Sequence, residues 1–183
     1  MNKITLREAT MDDCNDLYYW RNDPVTRQQS FSGREISYEE HCDWFKRSLA
    51  APDRLFFMGI NKKGEKCGVV RFDIKNELFA ETHINVAPEK RGKGVGSQLI
   101  LESCSLFFLR TKRKLILART KEKNTVSIKV FLKAGFSEVL RYNDTEQGGV
   151  VVLALLAPYG GVVDCEDPLY GQQSNRLQCP QIA

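Results

Sequence analysis

The chain has 183 residues, 42% of them hydrophobic and 27% charged, with a formal net charge of +4 at neutral pH. That is the length of one domain able to bury a core, and a charge this mild does not mark a nucleic-acid binder. The longest apolar run, Val150 to Ala157, is far too short to cross a bilayer, and the start, Met1 to Glu8, has no signal-peptide core.

Ile4 to Arg7 alternates apolar and polar residues and predicts a first strand. Thr10, Asp12 and Asp13 offer capping oxygens to a helix running to Asn22, where Asp23-Pro24 stops it. A loop with a short helical turn follows over Val25 to Arg34. Ser37 to Glu40 reads as a capping box opening a helix with His41, Trp44, Phe45, Ser48 and Leu49 on one face. Leu55 to Ile60, Cys67 to Ile74 and Phe79 to Val86 predict three strands joined by turns at Asn61–Gly64 and Asn76-Glu77.

A helix is predicted from Val95, ending in the basic run Arg110 to Lys114, where cations complement the helix dipole. Leu115 to Arg119 predicts a strand. Asn124 opens another helix, which Gly135 ends, and Ser137 to Arg141 and Val150 to Leu156 predict a closing strand pair. Residues 1–156 form the expected domain. Residues 157–183, rich in Gly, Pro and Gln without periodicity, read as a mobile tail.

Six scattered cysteines (Cys14, Cys42, Cys67, Cys104, Cys165, Cys179) lack a C-x-x-C pair or a histidine at metal spacing. They predict a reduced, cytoplasmic chain without a metal.

Between the third middle strand and the following helix lies Arg91-Gly92-Lys93-Gly94-Val95-Gly96. Glycines let successive backbone N–H groups turn toward one point, and the helix behind them presents its unpaired N–H groups and positive dipole end there. Lys90, Arg91 and Lys93 add positive charge. The pattern suits a diphosphate-sized anion. It is not the dinucleotide fingerprint, whose spacing is G-x-G-x-x-G, nor a Walker loop.

Arg91-x-x-Gly94-x-Gly96 resembles the [R/Q]-x-x-G-x-[G/A] signature of the GNAT acyltransferase superfamily. Asn124-x-x-Ser127 with Lys133-Ala134-Gly135-Phe136 resembles that family's second fingerprint. The resemblance covers residues 4 to about 156 and implies an α/β (α+β) fold, a mixed central sheet with helices on both faces. It implies an N-acetyltransferase using acetyl-CoA without a metal. The main chain of Asn85, Val86 and Ala87 would then hold the pantetheine arm. Residues Arg91, Gly92, Lys93, Gly94, Val95, Gly96 and Ser97 would hold the diphosphate, and Asn124 would reach the pantetheine arm.

Glu81 occupies the place of a catalytic glutamate in some members, and His83 shares its strand face as a second candidate base. Phe131 stands on the cofactor helix where many members place a tyrosine acid, so the leaving thiolate needs another proton donor.

In the N-terminal half, Trp20-Arg21-Asn22-Asp23 and Ile36-Ser37-x-x-Glu40-His41-x-x-Trp44-Phe45 resemble UDP-amino-sugar N-acetyltransferases of the pseudaminic-acid type, and more loosely the ribosomal-protein acetylating branch. This resemblance implies an acceptor site of Trp20, Arg21, Asn22 and His41, with Arg21 suited to a phosphate. The expected partner is a small molecule, a sugar nucleotide, with no nucleic acid and no membrane; a homodimer is left open. The alternatives are acetylation of a protein N-terminus or small amine, and an idle acyl-CoA-binding module.

Overall fold

Seven strands form one sheet in the order β1-β2-β3-β4-β5-β7-β6: β1 (Thr5–Glu8), β2 (Arg54–Ile60), β3 (Lys66–Ile74), β4 (Phe79–Val86), β5 (Leu115–Lys121), β6 (Ser137–Asp144) and β7 (Gly148–Leu156). The computed structural model describes residues 3–158. The 159–183 part of the expected tail, with Cys165 and Cys179, therefore lies outside the described residues. All neighbouring strands are antiparallel except β4 and β5, which are parallel and joined through a helix, as a parallel crossover requires.

The helices are α1 (Cys14–Asn22), α2 (Pro24–Gln29), α3 (Tyr38–Ala50), α4 (Val95–Arg110) and α5 (Thr125–Lys133). Asp23 does two jobs that read in the sequence as one stop. It ends α1, and its Oδ1 accepts the Thr26 N–H at 2.9 Å, capping a short helix that Pro24 opens. Ser37 caps α3, accepting the Glu40 N–H at 3.1 Å. The expected return bond of a capping box is replaced, because the Glu40 carboxylate turns to Arg34 instead.

Alternation along the strands feeds two cores. Phe57, Val70, Phe72, Ala80 and Ile116 pack under α4 and α5, where the Phe72 and Phe107 rings stack at 4.4 Å between centroids. Phe56, Met58 and Val69 point the other way, against Leu17 and Trp20 of α1 and Phe45 of α3. Burying each such side chain is worth roughly 2 kcal/mol, so both faces hold helices. Cys67 and Cys104 are buried as small core residues.

Candidate active site

The parallel register of β4 with β5 ends at Thr82 opposite Ala118, yet β4 runs on to Val86 beside β3 and β5 to Lys121 beside β7. A wedge opens between them. The Ala87 N–H donates to the Cys67 carbonyl at 3.0 Å, so main-chain alternation turns Ile84 and Val86 toward the wedge. On the far side the Glu122 N–H donates to the Gly149 carbonyl at 2.8 Å, which turns Arg119 and Lys121 toward it. The free edge is thus carried by Ile84 and the Val86 N–H, since the Val86 carbonyl accepts from Arg91 Nε at 3.3 Å. Asn85 and Ala87, named with Val86 from sequence, bond to β3.

The glycine loop closes the mouth. Gly92 and Gly94 have φ of 73° and 77°, and a Cβ on either would meet nothing within 4 Å. Gly94 caps α4, leaving the N–H groups of Val95, Gly96 and Ser97 without intrahelical acceptors. Gly96 is different: a Cβ there would lie 3.2 Å from Val130 Cγ2 and 3.5 Å from Val86 Cγ2. It permits close packing of α4 on α5 and β4 rather than approach of an anion.

The side chains of the basic loop are largely engaged elsewhere. Lys90 Nζ pairs with Glu65 at 2.6 Å. Arg91 donates through NH1 to Asp23 Oδ1 and through NH2 to Thr26 Oγ1, both at 2.7 Å, and through Nε to the Val86 carbonyl at 3.3 Å. Arg91 is therefore a staple to α2, contrary to the expectation of free charge for the anion. Lys93 remains exposed, its Nζ on the Glu89 carbonyl at 3.0 Å.

Across the wedge, Lys121 Nζ donates to the Gln28 carbonyl at 3.3 Å, and Arg119 lies 5.6 Å over the Phe31 ring. Held by Arg91 at one end and Lys121 at the other, α2 and its following loop form a roof on the α1–α3 face.

Beneath that roof, Glu81 and His83 project from the same face of β4, opposite Asp73 and Arg71 of β3. Glu81 is mostly buried, 3.8 Å from Lys75 Nζ, where β4 is still paired with β5. His83 stands one residue beyond the last pair, 40% exposed, with Nε2 at 3.2 Å from Asp73 Oδ2. Burial would raise the Asp73 carboxyl, but His83, Arg71 and Arg54 outweigh it and hold it at about 2.

A family model for the acetyltransferase (GNAT) domain matches residues 3–137. The chain belongs to the GNAT acetyltransferase family. It is an acetyl-CoA-dependent N-acetyltransferase by class. Its fold is similar to spermidine N-acetyltransferase from Vibrio cholerae in complex with CoA and spermine, with TM-score 0.73 and 19% identity over 84% of this chain and 95% of that one. It is also similar to the aminoglycoside acetyltransferase AAC(6')-Ib in complex with coenzyme A, with the same TM-score of 0.73, 19% identity, and coverage of 84% and 95%. No curated protein matches the chain.

Within this GNAT domain, several residues expected at the site stand behind it. Phe131 is buried against Phe136, ring centroids 5.1 Å apart, and belongs to the core instead of lining the cofactor wedge. Trp20 is buried in the α1–α3 core. His41 is buried among Tyr18, Trp44 and Phe45, and burial lowers its pKa. Asn22 uses both ends of its amide on the Ile36 main chain, at 2.8 and 3.1 Å, as a clip for the roof. Trp20 and His41 are thus buried, and Asn22 has its amide engaged within the chain. Asn124 caps α5, its Oδ1 accepting the Ser127 N–H at 3.0 Å.

Of the expected acceptor residues, His41 has both ring nitrogens buried without a hydrogen-bond partner, and Arg21 also keeps unused capacity. Its NH2 donates to Ser32 Oγ at 2.8 Å, while NH1 is buried without a hydrogen-bond partner. Arg27 Nε is buried in the same condition. Burial, then Arg34 and Arg27, pull the Arg21 pKa down. Among the described residues no group of three His, Cys, Asp or Glu side chains is placed to hold a metal.

Asp73 was missed from sequence. Its signal is the alternation Arg71-Phe72-Asp73, two charges placed by a strand among buried apolar residues.

Proposed function

We propose that this chain transfers the acetyl group of acetyl-CoA to the primary amine of an acceptor that also carries an anion, of the nucleotide-linked amino-sugar class. The observation that carries the reading is Arg21: a guanidinium with a buried, unpartnered NH1, and among the described residues no carboxylate in salt-bridge contact. A phosphate can take that N–H and repay the desolvation that lowers the Arg21 pKa. Arg119 and Lys121 of β5, which among the described residues have no carboxylate in salt-bridge contact, disfavour a polycation beside the roof, while Arg27 and Arg34 are already paired with Glu35 and Glu40.

The pantetheine arm lies along Ile84 and Val86 as an added half-strand, with the diphosphate at the α4 N-terminus and the glycine main chain. The thioester then falls where the strands part, which places His83 nearer the reacting carbon than Glu81. His83 takes the proton of the amine as its nitrogen bonds to the acetyl carbon, and the carbon–sulfur bond breaks to release the thiolate. Phe131 brings no hydroxyl to this step, so solvent at the open wedge protonates the sulfur.

A second reading keeps the chemistry and takes a small polyamine or aminoglycoside, as the similar enzymes named above do. Glu81 and Asp73 are the carboxylates that favour it. The test is thiol release from acetyl-CoA with nucleotide-linked amino sugars, free amino sugars, spermidine, aminoglycosides and short peptides, with products weighed by mass spectrometry. Acetylation confined to nucleotide-linked amino sugars is expected. Turnover of spermidine or an aminoglycoside alone would transfer the protein to the second reading.

A further inference from the structure

His83 has two ring nitrogens, and only an unprotonated one can accept a proton from an amine. Which nitrogen that is depends on what holds the other. Asp73 Oδ2 lies 3.2 Å from Nε2. It reaches there because Arg71 is directly opposite His83 and Asp73 opposite Glu81, so Asp73 and His83 are diagonal neighbours on one face.

The carboxylate is itself fixed. Arg71 NH2 is 3.0 Å from the same Oδ2, and Arg54 Nε is 3.5 Å from Oδ1. Arg71 in turn sits 5.5 Å over the Trp44 ring of α3. Trp44, Arg71, Asp73 and His83 form a continuous series from the acceptor-side helix to the wedge. Lys75, one residue past β3, and Glu81 of β4 are the remaining charged groups beside it.

With its pKa held at about 2, Asp73 is ionised at working pH and can only accept. A nitrogen next to an acceptor-only group must carry the proton. We infer that Asp73 is a positioning residue whose carboxylate takes the Nε2–H of His83, fixing the imidazole in the tautomer whose Nδ1 is free to receive the amine proton. The inference rests on the reading of His83 as the base. It adds the residue that makes His83 competent and a route by which α3 sets its orientation.

The sequence contains two histidines, and the other, His41, is buried, so nitrogen-15 histidine spectra of the full chain are simple to assign. In the wild type, the neutral His83 ring is expected to be protonated at Nε2 and not at Nδ1; the reverse would overturn the inference. Asp73→Asn removes the acceptor-only group: with its amide nitrogen at the Oδ2 position it points an N–H at Nε2 and turns its oxygen to Arg54. That variant is expected to shift His83 toward the Nδ1–H tautomer and lower kcat about 100-fold, with KM for acetyl-CoA nearly unchanged.

A kcat within twofold of wild type overturns the inference. So does a low kcat with the tautomer unmoved, since that is a merely structural effect. Should the variant fail to fold, the wild-type spectrum decides alone. His83→Ala separates the two readings: full activity there removes His83 as base, while the spectrum still tests what Asp73 holds.

Discussion

Arg91 binds Asp23 across 68 residues of chain, NH1 to Oδ1 at 2.7 Å, and so ties the turn before α4 to the cap of α2. Asp23 serves both elements at once, because the same Oδ1 accepts the Thr26 N–H at 2.9 Å. Burial would raise its carboxyl, but Arg91 and the Thr26 N–H pull it down. The glycine loop and the α2 roof therefore share one carboxylate. Asp23→Ala removes the cap and frees Arg91, at about 1 kcal/mol for the cap alone. Its KM for acetyl-CoA is expected to rise about tenfold, because the N–H groups of the loop lose their fixed aim. Steady-state kinetics with varied acetyl-CoA checks this; an unaltered KM would mean that the loop holds its shape without the staple.

Gly94 and Gly96 share one motif but are expected to respond differently to alanine. Gly94→Ala places a Cβ at φ 77°, a strain of about 1 kcal/mol, in space open to the anion. Gly96→Ala drives its Cβ to 3.2 Å from Val130, a repacking cost of about 1 kcal/mol inside the protein. Calorimetric titration with CoA should show the larger loss of affinity for Gly94→Ala. Thermal melting should show a lower Tm for Gly96→Ala with affinity near wild type. The opposite ranking of affinities would contradict the assignment.

Much of this fold was legible because its signals are local. Asn76-Glu77 and the loop beginning at Ala87 bracket β4 so clearly that its predicted and observed ends coincide. The wedge was not legible from spacing, since it depends on where β4 and β5, joined through a whole helix, stop pairing. The staple hid for the same reason: Arg91 carries a family motif, and nothing nearby tells that its partner is Asp23. Trp20 and His41 looked like ligands because aromatic and imidazole groups bind sugars, but their helical spacing with Leu17 and Phe45 is a core pattern. Asn22 shows the limit most plainly, as its amide suits a sugar and is spent on Ile36.

The two candidate bases separate by substitution. His83→Gln is expected to lower kcat about 100-fold while CoA affinity holds, since the proposed role puts the ring at the reacting amine and not at the diphosphate. Glu81 lies beside Lys75 in the still-paired part of the sheet. Glu81→Gln should therefore change kcat by less than about tenfold. Measured with the accepted substrate across pH, a greater loss in Glu81→Gln than in His83→Gln would return the role to the glutamate.

Asp13 gives the fold a defined acid limit. Its carboxylate is fully buried and takes Arg7 NH1 and NH2 at 2.7 Å, Lys66 Nζ at 2.7 Å and the Thr10 N–H at 2.9 Å. Burial would raise its pKa, but these donors win and lower it from 3.8 to about 2. A folded pKa below the unfolded one means stability that is complete above the unfolded value and lost as pH falls through the folded one. The window is thus about pH 4 down to pH 2, and the contribution is about 2 kcal/mol. Urea unfolding at a series of pH values should show that decline, with Asp73, also held at about 2, adding to it. Asp13→Asn should lose stability at neutral pH, by about 3 kcal/mol, because Arg7 loses its carboxylate partner and Lys66 is left with Asp16 alone. It should also flatten the acid decline, since one of the carboxyls held at about 2 is gone. A wild-type stability constant across that window would show that neither network binds its carboxylate as tightly as the geometry requires.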